Sequence, residues 1–422
     1  MKSLRRVWVA AQSVSHIGQF YLRLVSGVSG RFFLICVRRC SILSSGIPIH
    51  EKRECNMQKI IHFLKGEIVL TVALAAALLS MFIVPPDAMY IGYVDTHVLM
   101  LLFALMAVVA GLKRCGLMDS ICQALVGRAG SVRMLGMALS LACFFSAMLV
   151  TNDVALITFV PLTTALLAAF PDQLILTVTI ETIAANLGSM ATPIGNPQNL
   201  YLYAHYAMPM GQFFRAVGPL TLASLVLTLL ACLLLSPERI QAAHTQAKPI
   251  DKRALALHGV QFAVCLLSVL GVLSKEISFL FVLITMLAFD RRLLLQVDYA
   301  LLMTFVCFFV FVGNLGRINA VSSLLGSVIA GRELEVGILA SQVISNVPSA
   351  LMLSGFTQDA AALMRGVDLG GLGTLVASLA SLISFKLYMK APSAKAGRYL
   401  GVFTALNLVL LAVLYALAKL GV

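Results

Sequence analysis

The sequence predicts an all-α membrane protein of about nine passes, made of two inverted repeats that each carry one re-entrant hairpin and one broken transmembrane helix. Three observations lead there. The 422 residues are 60% hydrophobic and 12% charged, with mean hydropathy +0.96, against roughly 45–50% apolar and 25% charged in soluble domains. The apolar residues fall into runs of span length, about 20 residues each. Two polar interruptions then recur at corresponding places, Thr151-Asn152-Asp153 and Ser345-Asn346-Val347-Pro348-Ser349, each followed by a glycine-rich break.

Taken in order, spans are expected near 66–84 and 95–112, before two apolar arms, 134–150 and 154–170, that bend at Thr151-Asn152-Asp153. Too little chain separates Pro161 from Gln173 for two full crossings, so this pair reads as a re-entrant hairpin over 134–170. The next span, 172–206, is broken by Ala185-Asn186-Leu187-Gly188-Ser189 and Ala191-Thr192-Pro193-Ile194-Gly195-Asn196-Pro197. Spans 213–236 and 254–273 flank a polar stretch opened by Ser236-Pro237-Glu238-Arg239, and a short apolar run at 277–289 completes the nine. Span 299–316 precedes a second hairpin, 335–363, with arms 335–344 and 350–363. Span 367–390 is broken by Asp368-Leu369-Gly370-Gly371-Leu372-Gly373-Thr374, and 399–419 closes the chain.

The halves read as copies. Val94-Asp95 opens one apolar run and Val297-Asp298 another at the same offset; Thr151-Asn152 aligns with Ser345-Asn346, Leu187-Gly188-Ser189 with Leu369-Gly370-Gly371, and Thr192 with Thr374. One helix, 254–273, is left between them, so the second copy enters the membrane from the opposite side, the inverted repeat of many secondary transporters. The expected domains are a basic extension at 1–56, a first repeat at 57–236, a linker and connecting helix at 237–273, and a second repeat at 274–422.

The net charge of +13 suggests nucleic acid until its distribution is read. With the N-terminus inside, cytoplasmic segments hold 14 Lys and Arg, among them Lys113, Arg114, Arg291 and Arg292, and external segments hold five: Arg215, Lys275, Arg317, Arg332 and Arg365. That is the positive-inside bias, and it puts the C-terminus outside. Residues 1–56 are Arg-rich, have no acid before Glu51 and no run long enough to span; they are expected to be a disordered tail or a mis-assigned start, with Met57 a plausible beginning, and are set apart from fold reasoning. Nine cysteines show no CxxC or paired Cys/His spacing, so neither a structural metal nor a disulfide framework is expected.

Broken backbone at membrane depth must be buried in protein or line a wet cavity, and an anion there exchanges hydration for oriented N–H groups and neutral donors. The expected substrate ligands are Asn152, Thr192, Asn196, Ser345, Asn346 and Thr374; the membrane interior near both motifs offers no Lys or Arg ligand. Gly188, Gly195, Gly370, Gly371 and Gly373 let backbone approach a ligand, Gly188 and Gly371 together with Thr151 as ion-site candidates. Pro193, Pro197 and Pro348 are expected to stop helices. Asp153 and Glu181 are ionisable at membrane depth, where such groups mark ion pathways; the plainer alternatives are a helix N-cap for Asp153 and an inter-helix hydrogen bond for Glu181. Asn314 is expected to join helices, and His97 and His205 to sit at the interface.

In Thr151-Asn152-Asp153-Val154-Ala155-Leu156, in Ala191-Thr192-Pro193-Ile194-Gly195-Asn196-Pro197-Gln198-Asn199 and in Ser341-Gln342-Val343-Ile344-Ser345-Asn346-Val347-Pro348-Ser349, the chain resembles the ion transporter superfamily, in its citrate-transporter-like and arsenite-permease-like branch. The resemblance covers about residue 60 to the end and is nearest the bacterial inner-membrane anion permeases. It implies a homodimeric scaffold, a moving transport domain and elevator-type alternating access. In the sodium-coupled dicarboxylate carriers of that superfamily each tip reads Ser-Asn-Thr; Asn152 and Asn346 match the Asn. Thr151, Asp153 and Val347 depart from the pattern, which bears on both the dicarboxylate substrate and the sodium coupling.

The function expected is therefore a secondary transporter of a small organic or inorganic anion in the inner membrane, coupled to sodium or protons, with a possible bound sodium ion and no other cofactor. A sodium/proton antiporter on the same scaffold is the alternative. No GxxxxGK[ST] motif points to ATP. The sequence holds no GxSxG, HExxH or spaced acid pair, so an enzyme is not expected.

Overall fold

The computed structural model describes residues 67–127, 129–239 and 249–421. The expected extension at 1–56 lies outside them. Among the described residues the structure is helical, with one isolated antiparallel bridge, Ser131 to Arg239. The helices are α1 Ile68–Ile83, α2 Tyr90–Tyr93, α3 Thr96–Arg114, α4 Leu117–Val126, α5 Val132–Val150, α6 Asn152–Leu166, α7 Pro171–Ser189, α8 Pro197–His205, α9 Met210–Cys232 and α10 Lys252–Val269. They continue as α11 Lys275–Phe289, a 3-10 turn Leu293–Gln296, α12 Tyr299–Gly316, α13 Asn319–Ile329, α14 Glu333–Ile344, α15 Asn346–Ser354, α16 Ala360–Leu369, α17 Leu379–Tyr388 and α18 Ala396–Lys419.

Local chemistry sets many of these starts. Asp95 accepts from the Val98 N–H (3.0 Å) and Asp298 from the Leu301 N–H (2.9 Å), so the repeated Val-Asp pair is a repeated N-cap. Ser131 caps α5 at Met134 N–H (3.2 Å), and Asp251 caps α10 at Arg253 and Ala254. The chain is a multi-pass membrane protein: α3, α5, α9, α10, α12 and α18 are long and apolar enough to cross a bilayer. Leu222 and Leu230 on α9 and Leu408 and Val409 on α18 are exposed, the side chains that lipid would cover. In the loop after α1, the Arg317 guanidinium lies 2.8 Å from Asp87 and holds its carboxyl below the usual range.

The order of elements from α1 to α9 recurs from α11 to α18, with α10 between. Packing is reciprocal: α1 lies on α12 as α11 lies on α3, α6 on α17 as α15 on α8, and α7 on α18 as α16 on α9. Such exchanged pairs are what a two-fold relation between two units produces.

Several boundaries differ from expectation. Helices α4 and α13 fill connections that sequence reading left unassigned. The second hairpin arm, expected over 350–363, ends at Ser354, and α16 begins at Ala360. The reason is a short polar turn: Gly355 ends α15, and Asp359 caps the next helix by accepting from the Ala362 N–H (2.9 Å). In the first pair α5 has span length, whereas α6 stops at Leu166.

Two large apolar clusters form most of the interior of the described residues. One gathers α1, α3, α8, α10, α11, α12 and α15; the other α5, α6, α7, α17 and α18. The first break runs from Met190 in the second cluster to Ile194 in the first, and α16 passes from Val367 in the first to Leu369 in the second. The first break therefore crosses the seam, and the second begins just past it, with Leu369, Leu372 and Ala380 all in the second cluster. Asn314 donates to Ser80 of α1 (2.9 Å), the helix-joining role expected of it.

Candidate functional site

Each hairpin turns on one residue. Thr151 has φ 78° and ψ 152°, and Ser345 has φ 75° and ψ 155°. That region is nearly exclusive to glycine and costs roughly 1–3 kcal/mol for other residues, so the structure stores the same strain at both tips. The strain aims the next N–H sideways: Asn152 donates to the Gly195 carbonyl (3.3 Å) and Asn346 to the Ala377 carbonyl (2.9 Å). Each tip is thus tied to the break of its own repeat. Thr151→Gly is expected to raise the thermal midpoint by about 1 kcal/mol of stability, the relieved strain less the added unfolded-state entropy; scanning fluorimetry of the purified protein reads this, and a fall would count against stored strain.

The break residues repeat the pattern. Thr192 donates to the Met148 carbonyl (2.5 Å) and Thr374 to the Gln342 carbonyl (3.3 Å), each three residues before a tip. Both hydroxyls, expected as substrate ligands, are spent on tethering the breaks, and Thr374 is exposed. Pro193 lies within the first break. Pro197 is the first residue of α8 and Pro348 lies in the first turn of α15, so both start helices where sequence reading expected stops. A missing N–H costs nothing in the first turn.

The centre joins residues from the two halves of the chain. Asn186, near the end of α7, accepts at Oδ1 from Asn152 (3.1 Å) and Ser378 (3.0 Å) and donates from Nδ2 to Ser381 (3.2 Å). Asp368, near the end of α16, accepts at Oδ1 from Asn196 (3.2 Å) and Gln198 (3.5 Å). Asn196 also caps α8, accepting from the Asn199 N–H (2.8 Å), and donates to Ser189 (3.1 Å). Thr182 and Ser384 add a further bond between the halves (2.6 Å). The side chains of Asn152, Asn196, Ser345 and Asn346 are buried here. Ser345 Oγ reaches the Ala377 carbonyl (3.4 Å), and the Asn346 Oδ1 accepts from the Val347 N–H (3.0 Å). The arrangement offers neutral amides and hydroxyls, two helix N-termini and one carboxyl.

The glycines divide by role. A Cβ on Gly188 would stand 2.2 Å from the Phe144 carbonyl oxygen, so this position, expected at an ion site, serves the close packing of α5 on α7. Gly195 faces the Ser189 carbonyl and Gly370 the Ser341 side chain, again protein contacts. Gly371 keeps a side chain out of the way of the Asn346 amide, and Gly373 combines φ +108° with a Gln342 contact.

Asp153 sits in the first turn of α6, two residues past the tip, so the N-cap is Thr151 and not Asp153; its carboxyl still lies at the positive end of the helix. Glu181 is fully buried and is bonded to Thr163 of α6, the inter-helix alternative. It lies a turn and more before the break and does not join the centre. His97 pairs with Glu276 on the surface (2.7 Å), and His205 stacks on Tyr201. Among the described residues, no group of three or more metal-ligating side chains occurs.

Several central residues were not singled out from sequence, among them Asn186, Gln198, Asp368, Ser378 and Ser381, with Gln342 beside them. Gln342 Nε2 donates to the Gly370 and Leu372 carbonyls (2.9 Å each), and its Oε1 accepts from the Thr374 N–H (2.9 Å). One side chain thereby satisfies three backbone groups of the second break. The signal lay in its register, three residues before the tip, where the first repeat has Met148. Gln342→Met, copying that residue, is expected to cost roughly 2–4 kcal/mol of stability because buried polar groups lose partners; an unchanged unfolding midpoint would contradict this.

A family profile described as citrate transporter matches residues 57–383. The chain is 32% identical over 316 residues to inner membrane protein YbiR of Escherichia coli, covering 73% of this chain and 84% of that protein. It is 30% identical over 357 residues to uncharacterized transporter MJ0456 of Methanocaldococcus jannaschii, covering 82% and 96%. Over 166 residues it is 31% identical to silicon efflux transporter LSI3 of Oryza sativa, covering 38% and 33%.

Proposed function

Because the chain belongs to the citrate transporter family, we propose that this transporter is a secondary carrier that moves a small organic or inorganic anion across the cytoplasmic membrane by alternating access, driven by sodium or protons. The observation that carries the reading is the meeting of two like-strained tips and two helix breaks in one centre of neutral donors. Capture by neutral donors is weak and reversible, which suits a carrier.

The elements divide the work. The strained tips point helix N-termini toward the centre, where the half-charge of each N-terminus favours an anion. The tethers at Thr192, Thr374 and Gln342 satisfy the broken backbone, as lipid requires. An inverted repeat is supported by the reciprocal packing of α1 with α12 and α11 with α3 and by the positive-inside count, with the N-terminus cytoplasmic and the C-terminus external. Two separate apolar clusters meeting at the seam suit a transport body sliding on a scaffold, and a homodimeric scaffold follows from the family resemblance.

The test is uptake by proteoliposomes of labelled citrate, succinate, arsenite and sulfate under a sodium gradient, a pH gradient or neither. At least one anion is expected to accumulate only with a gradient. Sodium/proton exchange with no anion movement would instead establish the antiporter, and gradient-independent flux at channel rates would remove alternating access.

A further inference from the structure

The two repeats place different chemistry at one equivalent position. The register that sets Leu187-Gly188-Ser189 against Leu369-Gly370-Gly371 sets Asn186 against Asp368. Asn186 has partners on both amide atoms, contributed by Asn152, Ser378 and Ser381. Asp368 is 4% exposed and meets its amide donors on one oxygen only, while its Oδ2 is buried with no partner.

The surroundings supply nothing to balance a charge there. Helices α7, α8, α9, α14, α15 and α18 pack on α16, yet the side chains that interact with Asp368 are the amides of Asn196, Gln198 and Asn199. The titratable groups on those helices are engaged elsewhere or stand apart. Glu181 bonds to Thr163, Glu333 to Thr357, Glu335 to Lys419 and Asp172 to Arg398, and His205 stacks on Tyr201. Arg365, one turn earlier on α16 itself, Arg215 and Cys232 on α9, and the tyrosines of α8 and α18 make no contact with Asp368 among the described interactions.

An ionised carboxylate in this place would hold a full charge with one oxygen bare of donors, at a cost of several kcal/mol. A carboxylic acid differs from an asparagine amide only by O–H for NH2. The other repeat shows that this position accommodates a neutral side chain of that shape, with its hydrogen bonds made. We propose that Asp368 is a proton-binding residue of the central site, neutral with its proton on Oδ2 in the conformation described here, and that it exchanges that proton with water when the breaks open to one side. The first half of this rests on geometry alone, and the second rests on the transporter reading. Loss of the proton puts a negative charge beside the donors that would hold an anion, so proton and anion favour one another's binding and anion affinity rises as pH falls.

Infrared difference spectra of the purified full-length protein at neutral pH, wild type minus Asp368→Asn, are expected to show the carbonyl stretch of a protonated carboxyl, shifted in heavy water and retained in Glu181→Gln. A difference containing only ionised-carboxylate bands would overturn the proposal. So would sodium chloride, against choline chloride, raising the unfolding midpoint of the wild type but not of Asp368→Asn, since that marks a cation site. If Asp368→Asn fails to fold, the same band is read in the wild type after subtraction with Asp153→Asn and Glu181→Gln; its absence has the same overturning force. In proteoliposomes with the labelled anion panel, the stimulation of uptake by a pH gradient seen in the wild type is expected to be lost in Asp368→Asn. Absence of transport by the wild type would sink the carrier reading and leave the spectral result standing.

Discussion

Asn152→Ala and Asn346→Ala are each expected to abolish anion uptake, a loss of about 100-fold or more, while folded protein is still recovered. Each side chain does two jobs. Its Oδ1 accepts from the next N–H, Asp153 or Val347 (3.0 Å in both), and holds the first turn that the strained tip begins. The amide nitrogen is the part that faces the centre: Asn152 Nδ2 donates to Asn186 (3.1 Å), and Asn346 Nδ2 lies where a Cβ on Gly371 would touch it. Losing the Oδ1 bond costs roughly 0.5–1.5 kcal/mol, a fall in the unfolding midpoint that the protein survives. Losing the amide removes a donor from the place where an anion must trade water for protein, at about 1–3 kcal/mol for each unmade bond, and it also frees the tip from its register. Uptake of the labelled anion panel checks this, with recovery on size-exclusion chromatography as the folding control. Near-wild-type uptake by both variants would move the site elsewhere.

Gly188→Ala is expected to remove most folded protein, a larger effect on stability than any substitution at the centre. The added methyl would stand 2.2 Å from the Phe144 carbonyl oxygen and 2.8 Å from the Phe144 Cα. Both are backbone, so no side-chain rotation relieves the clash and α5 must lift off α7. Overpacking of this kind costs about 1–3 kcal/mol where a core can adjust and more where it cannot. Here the displaced helix also carries the tip at Thr151 and the Met148 carbonyl that tethers Thr192. Gly259→Ala, in the interior of α10 with nothing within 4 Å of the new methyl, is the control, expected to be neutral or stabilising by roughly 0.5–1 kcal/mol. Thermal unfolding in one detergent compares them; equal midpoints for the two variants would show that α5 and α7 have slack.

Much of this could be seen in the sequence because lipid leaves a chain few choices. Apolar runs of span length have to be helices, and polar residues with glycine and proline inside them have to mark where helices stop. That logic located both tips and both breaks. It erred where helix and turn look alike. The turn between α15 and α16, Gly355-Phe356-Thr357-Gln358-Asp359, is only five residues long between two apolar stretches, and its glycine and capping acid were read through. Pro197 and Pro348 were read as stops when each begins a helix, because proline is tolerated in the first turn for the same missing donor that excludes it farther in.

What the amino-acid sequence determined by itself is the class of the protein, the order of its elements and the two places where backbone leaves the helix, because each depends on hydrophobicity and local propensity along a single stretch. Only the tertiary structure decided what those places are made of. It spent Thr192 and Thr374 on tethers and gave Gly188 to a neighbouring carbonyl. It also set Asp368 opposite Asn196 of the other half and left one carboxyl oxygen without a donor. These are relations between residues some 170 positions apart, fixed by how helices cross and where unpaired polar groups find partners, and no local pattern in the chain encodes them.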